Sequence, residues 1–361
     1  MSAGTRRRLE YALHAGKDIE SRESNKELPS VKVDFGDVMG IYCVNFSHNA
    51  QCMVAGCGNG SIQVYSCETK RKRRPLKHGS LYGLPITALK FFPFKDNELI
   101  TASSDGTLSC WDLEAWNVFK TVDEARNEIC ALDFSHDGKI FATAGKDRRI
   151  RVYDTSTSQV KLTFGGTDPT EFTREHVITP EAGHGRKVFA LRFHPFDDNI
   201  FLTGGWDRCI KVWDVRADQI VRAIHGPYIC GDGIDIWEDV VLSASWVAHN
   251  ALQIWDFSSG RLLEMMPFPS AQHGEFLYVG RFCGTGDVIA AGGSGTNDLK
   301  IINRKTRTEM GKSGLPREKK LSEQSRQSTN SSHIWRQVRG SSPGHIGGGA
   351  LTVRSNVDSV V

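Results

Sequence analysis

A short phrase recurs down this chain: an alternating strand that closes on an aromatic residue and an aspartate. It reads Leu108-Ser109-Cys110-Trp111-Asp112, then Ile150-Arg151-Val152-Tyr153-Asp154, then Ile210-Lys211-Val212-Trp213-Asp214, then Leu252-Gln253-Ile254-Trp255-Asp256. Successive copies lie 42, 60 and 42 residues apart. A period of this size marks a unit that cannot bury its apolar face alone and stacks on its neighbours, and the four-stranded propeller blade fits it.

Each repeat divides into strands. An inner strand ends in Phe and a turn, as in Phe134-Ser135-His136-Asp137-Gly138 and Phe193-His194-Pro195. Asp-Gly and Pro after an alternating strand are hairpin chemistry. A second strand ends in small residues, as in Ala142-Thr143-Ala144-Gly145 and Leu202-Thr203-Gly204-Gly205. A tight Asp-containing turn follows, then the aromatic-Asp strand, then a weakly patterned outer strand. Inner strands are expected to start near Ile41, Ile86, Ile129, Val188, Ile229 and Phe276, which makes six blades. Tyr65-Ser66 and Ile302-Asn303 stand where the first and last aromatic-Asp pairs would be. The long interval between the second and third copies is assigned to a polar insertion at Gly165 to Glu181, too short for a blade. Val31-Lys32-Val33-Asp34-Phe35 alternates and is expected to close the ring as the outer strand of the last blade. A seventh, divergent blade from Arg304 onward is the alternative.

The expected fold is therefore all-β: a propeller of four-stranded antiparallel blades over residues 28–310, six in number, with a flexible segment at 1–27 and a disordered tail at 311–361. Between Arg304 and Gly340 stand ten Lys/Arg against three Asp/Glu. Such a stretch buries too little apolar area to order itself. Charged residues make up 24% of the chain and the net charge is only +3, so no global field steers it onto nucleic acid. No apolar run reaches the length of a membrane span. The nine cysteines include no Cys-x-x-Cys pair and read as reduced core residues, which favours cytoplasm or nucleus.

These repeats resemble the WD-repeat family of propellers from about Phe35 to Lys305. The most regular copy combines Gly183-His184, Phe193-His194-Pro195, Leu202-Thr203-Gly204-Gly205-Trp206-Asp207 and Ile210-Lys211-Val212-Trp213-Asp214. The resemblance implies a buried hydrogen-bond relay through Asp207, His184, Thr203 and Trp213. A buried indole N–H and a buried imidazole each need a partner or cost roughly 1–3 kcal/mol. His225 and His273 occupy the matching place before the fifth and sixth inner strands. Blade 2 has Thr101, Asp105 and Trp111 with His78 displaced; blade 3 has Thr143, Asp147 and Tyr153 without a histidine; blade 1 has Ala55 and Asn59 where Thr and Asp would be. The Thr-His-Asp content of blade 4 is thus architecture and not a nucleophilic triad.

Other signals bear on function. The resemblance implies that the residue before the turn Asp (Trp206, Lys146, Ser104) contacts partners on one disc face. Trp206 and Trp246 occupy equivalent turns of blades 4 and 5, and large aromatics on a rigid face make interaction hot spots; the alternative is packing between blades. Arg186, Tyr228 and Glu275 lie on the same rim. Trp213-Asp214-Val215-Arg216 resembles the box by which substrate receptors dock on a cullin-ligase adaptor, which would involve Asp214 and Arg216; the alternative is a blade-end ion pair. Lys70 to Lys77 reads equally as a nuclear-localisation run or a charged blade edge. Ser359-Val360-Val361 fits a PDZ ligand. Gly56-Cys57-Gly58-Asn59-Gly60 lies between strands, and Gly311-Lys312-Ser313 lacks its leading glycine, so neither holds phosphate. Arg148-Arg149 is followed by Ile150, which departs from the phosphoinositide motif of some propellers. Asp232 and Asp235 are expected to point to opposite faces of an inner strand. No catalytic, cofactor or metal site is expected. The chain reads as a non-catalytic scaffold for a protein or peptide partner on the face of blades 4 and 5, with a ligase receptor as first alternative and a central-channel enzyme as second.

Overall fold

The computed structural model describes residues 26–27, 31–34, 36, 38–77, 83–165, 183–217, 220–268, 274–295, 298–313 and 350–353. Alternation of apolar and polar residues, broken by Gly, Pro and Asp turns, produces strands throughout. They assemble into six four-stranded antiparallel blades. Blade 1 is Ile41–Phe46, Cys52–Cys57, Ser61–Ser66 and Leu76–Lys77; blade 2 is Ile86–Phe91, Glu98–Ser103, Thr107–Asp112 and Asn117–Asp123. Blade 3 is Ile129–Phe134, Ile140–Gly145, Ile150–Asp154 and Val160–Phe164; blade 4 is Val188–Phe193, Ile200–Gly205, Cys209–Asp214 and Ile220–His225. Blade 5 is Ile234–Trp237, Val240–Ala244, Leu252–Asp256 and Leu262–Met266; blade 6 is Leu277–Cys283, Val288–Gly293, Leu299–Asn303 and Glu309–Ser313. The chain forms a six-bladed β-propeller.

The aromatic of each repeated phrase is core, not surface. Trp213 pairs in register with Phe201 and stacks near it, with ring centroids 6.3 Å apart. Tyr153 stacks on Phe141 at 4.7 Å. The aspartate that follows caps the next turn: Asp154 accepts the amides of Ser156 and Thr157, and Asp256 that of Ser259. Between blades, the Leu and Phe of one inner strand pack on the second and third strands of the blade before. Leu191 and Phe193 lie with Ala142, Ile150 and Val152, and Leu89 and Phe91 with Val54, Ile62 and Val64. Burying such side chains contributes about 1.5–3 kcal/mol each.

Three expectations are corrected. Val31–Asp34 is not the outer strand of the last blade: that strand is Glu309–Ser313, paired antiparallel with Leu299–Asn303 and carrying Lys26–Glu27 in parallel on its free edge. Val31–Asp34 pairs instead with Ala350–Val353. Strand structure thus continues past Gly311, held by backbone pairing with Leu299–Asn303 and not by an apolar alternation visible in the sequence. In blade 5 the inner strand begins at Ile234, not Ile229. Gly231 and Gly233 break the ladder there, the Gly233 amide donating to the Gly231 carbonyl at 2.8 Å. A side chain at Gly231 would meet the Tyr278 carbonyl at 2.7 Å.

Candidate interaction face and central channel

The relay of blade 4 runs in one direction. The Trp213 indole donates to Thr203 Oγ1 at 2.7 Å, Thr203 donates to His184 Nε2 at 2.6 Å, and His184 Nδ1 donates to Asp207 at 2.7 Å. Asp207 also accepts the Gly185 amide at 3.1 Å. Burial holds His184 below the ordinary histidine range, against the pull of Asp207, so the ring is neutral and each of its nitrogens has one role. Burial alone would raise the Asp207 carboxyl; the hydrogen bonds from His184 and from the Gly185 amide outweigh it and hold it low.

The other blades solve the same problem differently. Trp111 donates to Thr101 at 2.9 Å and Trp255 to Ser243 at 2.9 Å. His225, matched to the relay by sequence position, ends an outer strand and is exposed. His78 and His273 lie outside the described residues. Blade 3 replaces the histidine with Glu124, which the sequence reading missed. This buried carboxylate accepts the Tyr153 hydroxyl at 2.8 Å, the Thr143 hydroxyl, the Asn127 amide at 2.7 Å and an Arg151 guanidinium nitrogen at 3.0 Å. Arg151 also pairs with Asp147 at 2.5 Å. The available signal was a Glu-x-x-Asn at the end of an outer strand, in the position that histidine holds elsewhere.

On the rim where blades 4 and 5 meet, a depression of about 560 Å³ is lined by Gly185, Arg186, Trp206, Asp207, Arg208 and Tyr228. Trp206 is half-buried: its ring lies 4.8 Å from Phe189, and its indole N–H points at Cys230 Sγ, 3.4 Å away. Arg208, with φ at 57°, sits 5.7 Å over the Tyr228 ring. Arg186 and Arg208 are exposed, and neither forms an ion pair with a carboxylate among the described residues. Of the seven face residues named from sequence, the depression gathers Trp206, Arg186 and Tyr228. The other four do not line it. Trp246 lies 6.4 Å from Tyr228 and 5.3 Å from Phe276, with its indole N–H buried. Lys146 pairs with Glu128; Glu275 accepts the amides of Asn250 and Ala251 at 3.2 and 2.6 Å; Ser104 is half-buried, its amide on the Pro85 carbonyl. Arg208 was missed, although an Arg just after a turn Asp was visible.

Arg216 folds back on Asp214 through two hydrogen bonds of 2.8 and 2.6 Å while its side chain stays 59% exposed. Lys70 to Lys77 forms the outer edge of blade 1, where the Arg73 amide donates to the Val64 carbonyl at 2.7 Å. The PDZ-type C-terminus lies outside the described residues.

The channel carries alternating charge, one residue from each inner strand of blades 2 to 6. Lys90 of blade 2 meets Asp133 of blade 3 at 2.8 Å, and Arg192 of blade 4 meets Asp133 at 3.8 Å and Asp235 of blade 5 at 3.1 Å. Arg281 of blade 6 follows, donating to the Ile234 carbonyl at 2.7 Å and pairing with Asp232. Asp232 and Asp235 do not point to opposite faces. Asp232 precedes the strand, so the two-residue period does not govern it, and both carboxylates face the channel arginines. Confinement would raise the Asp232 carboxyl, but Arg281, Arg192 and Lys90 outweigh this and hold it well below the ordinary range. The paired charges join neighbouring inner strands, which suits a lock between blades. The described residues contain no cluster of His, Cys, Asp or Glu able to hold a metal.

Comparison with known proteins follows the same line. A model described as NUP159/214 beta propeller matches residues 17–181, and one described as WD domain, G-beta repeat, matches residues 175–214. The nuclear distribution protein nudF of Emericella nidulans is 27% identical over 199 residues, 53% of this chain and 44% of that protein. Cell division cycle 20.1, cofactor of APC complex, of Arabidopsis thaliana is 25% identical over 243 residues, 66% of this chain and 49% of that protein. A chain in a crystal structure of the mitotic checkpoint complex superposes with a TM-score of 0.58 at 20% identity, covering 72% of this chain and 73% of that one, and so shares the fold. The chain spans about half the length of the curated relatives it matches. Repeated phrase, blade register and matching models agree: this chain is a six-bladed β-propeller similar to the WD-repeat proteins, with a WD-repeat match at residues 175–214.

Proposed function

We propose that this chain is a non-catalytic scaffold that holds a protein or peptide partner on the rim where blades 4 and 5 meet. One observation carries the reading. Trp206 and Tyr228 flank a depression whose two arginines, Arg186 and Arg208, are exposed and without a carboxylate partner among the described residues. Aromatic and arginine side chains on a rigid support supply contact area and directed hydrogen bonds at low ordering cost. WD-repeat relatives include a protein named for its role as an APC cofactor, which accords with a scaffold role. Cytoplasmic or nuclear residence belongs to the same reading and is supported by nine free thiols.

The test is quantitative co-purification with the wild-type chain, Trp206→Ala/Tyr228→Ala, and Phe119→Ala as a control on the exposed outer strand of blade 2. The reading expects a defined set of partners lost from the double variant and retained by the control. Equal recovery from all three overturns the assignment of this face.

A further inference from the structure

Five apolar clusters of the described residues each span two consecutive blades, from blades 1 and 2 through blades 5 and 6. None spans blades 6 and 1. The sixth cluster, around Ile41, Met53 and Tyr65, stays within blade 1 and its leading residue Val38. The difference shows at equivalent positions. Inner-strand Leu89, Leu132 and Leu191 are each 3% exposed, whereas Val44 of blade 1 is 37% exposed. Phe91, Phe134 and Phe193 are 4, 8 and 4% exposed, whereas Phe46 is 39% exposed. The opposite wall agrees. Ile210 and Val212 of blade 4 are buried, but their counterparts Leu299 and Ile301 in blade 6 are only half-buried.

We propose that the boundary between blades 6 and 1 is an open slot that accepts a β-hairpin from a partner protein as an added blade. Chain order supports a missing sheet there. In every other blade the outer strand is the last described strand before the next inner strand. Val31–Asp34 leads into Ile41–Phe46, yet blade 6 already has its own outer strand, Glu309–Ser313. Among the described residues Val31–Asp34 pairs with Ala350–Val353 alone, a two-stranded sheet that matches the outer half of a blade without the inner half.

The channel specifies the chemistry of the inner half. Asp133 meets the cation of the blade before it and accepts the Phe193 amide of the blade after it at 2.9 Å; Asp235 does the same with Arg192 and the Phe282 amide at 2.8 Å. Alternation runs Lys90, Asp133, Arg192, Asp235, Arg281 and then breaks, because blade 1 offers neutral Asn45. An acidic residue on the incoming inner strand would meet Arg281 on one side and the Phe46 amide on the other. The occupant is a two-stranded hairpin with one apolar face and an acidic residue just before the inner strand's last aromatic.

The chain's own blade 3 hairpin, residues 129–145, has that pattern and serves as the probe. A fluorescein-labelled synthetic 129–145 peptide is titrated into the full chain by anisotropy, with amide hydrogen exchange recorded in parallel. The expected result is saturable binding, weakened tenfold or more by Phe46→Asp in the protein or by Asp133→Asn in the peptide. Without peptide, the Val44–Phe46 amides exchange at least tenfold faster than Leu89–Phe91, and peptide removes the difference. Equal protection of the two segments in the free chain overturns the proposal, since the slot is then shut or filled by the chain itself. A concentration-dependent dimer abolished by Phe46→Asp overturns it in favour of a second copy. Either result leaves the Trp206–Tyr228 reading untouched, because that face is tested by separate variants.

Discussion

Asp133 and Phe193 join two blades through a single hydrogen bond: the Asp133 carboxylate accepts the Phe193 backbone N–H at 2.9 Å. The same carboxylate neutralises Lys90 at 2.8 Å, so one side chain ties blades 2, 3 and 4 together. Removing it leaves a cation and an amide without partners where little water reaches. Asp133→Ala should cost about 3 kcal/mol, the usual scale for breaking a largely buried ion pair. Urea denaturation measures this, and a loss under about 0.5 kcal/mol would show that the channel charges are mere decoration.

Glu124 does in blade 3 what His184 does in blade 4, but with four partners in place of two. Glu124→Ala should therefore destabilise the chain by about 3 kcal/mol, and Tyr153→Phe, which deletes one hydroxyl from the set, by about 1 kcal/mol. If the two variants melt alike, Glu124 is not the hub of the blade.

His184 predicts a pH dependence. Its folded-state pKa is lowered from 6.5 by burial, so the unfolded chain takes up a proton at this residue more readily than the folded one. The stability contributed by the neutral ring is present above about pH 6.5 and is lost as pH falls below it toward the lower folded value. Melting temperatures between pH 8 and pH 5 should decline more steeply for wild type than for His184→Gln. Parallel curves would refute the buried neutral histidine.

Among the described residues Arg216 pairs with Asp214 and, at 3.7 Å, Asp197, in an exposed setting. Exposed pairs contribute about 0–1 kcal/mol. Arg216→Ala should leave the denaturation midpoint nearly unchanged, which makes it a clean variant for asking whether any partner uses this blade end. A drop of several kcal/mol would give Arg216 a structural role that its geometry does not explain.

What the residues alone determined was the local chemistry. The two-residue alternation, the Asp and Gly turns and the aromatic-Asp endings established four-stranded blades, because strand periodicity and turn preference act over a few residues. The Trp213–Thr203–His184–Asp207 set came from the resemblance to WD repeats, and residue chemistry added only that a buried indole and imidazole each need a partner. Only the tertiary structure decided what depends on neighbours distant in sequence. Glu124 reaches across its blade to a tyrosine 29 residues away. Arg208 joins Trp206 and Tyr228 because two blades meet there. Asp232 turns toward Arg281 because Gly231 and Gly233 break the strand that would have aimed it elsewhere. The exposure of Val44 and Phe46 was hidden most completely: their pattern matches that of buried inner-strand residues in other blades, and what sets them apart is that no apolar cluster of the described residues joins blades 6 and 1.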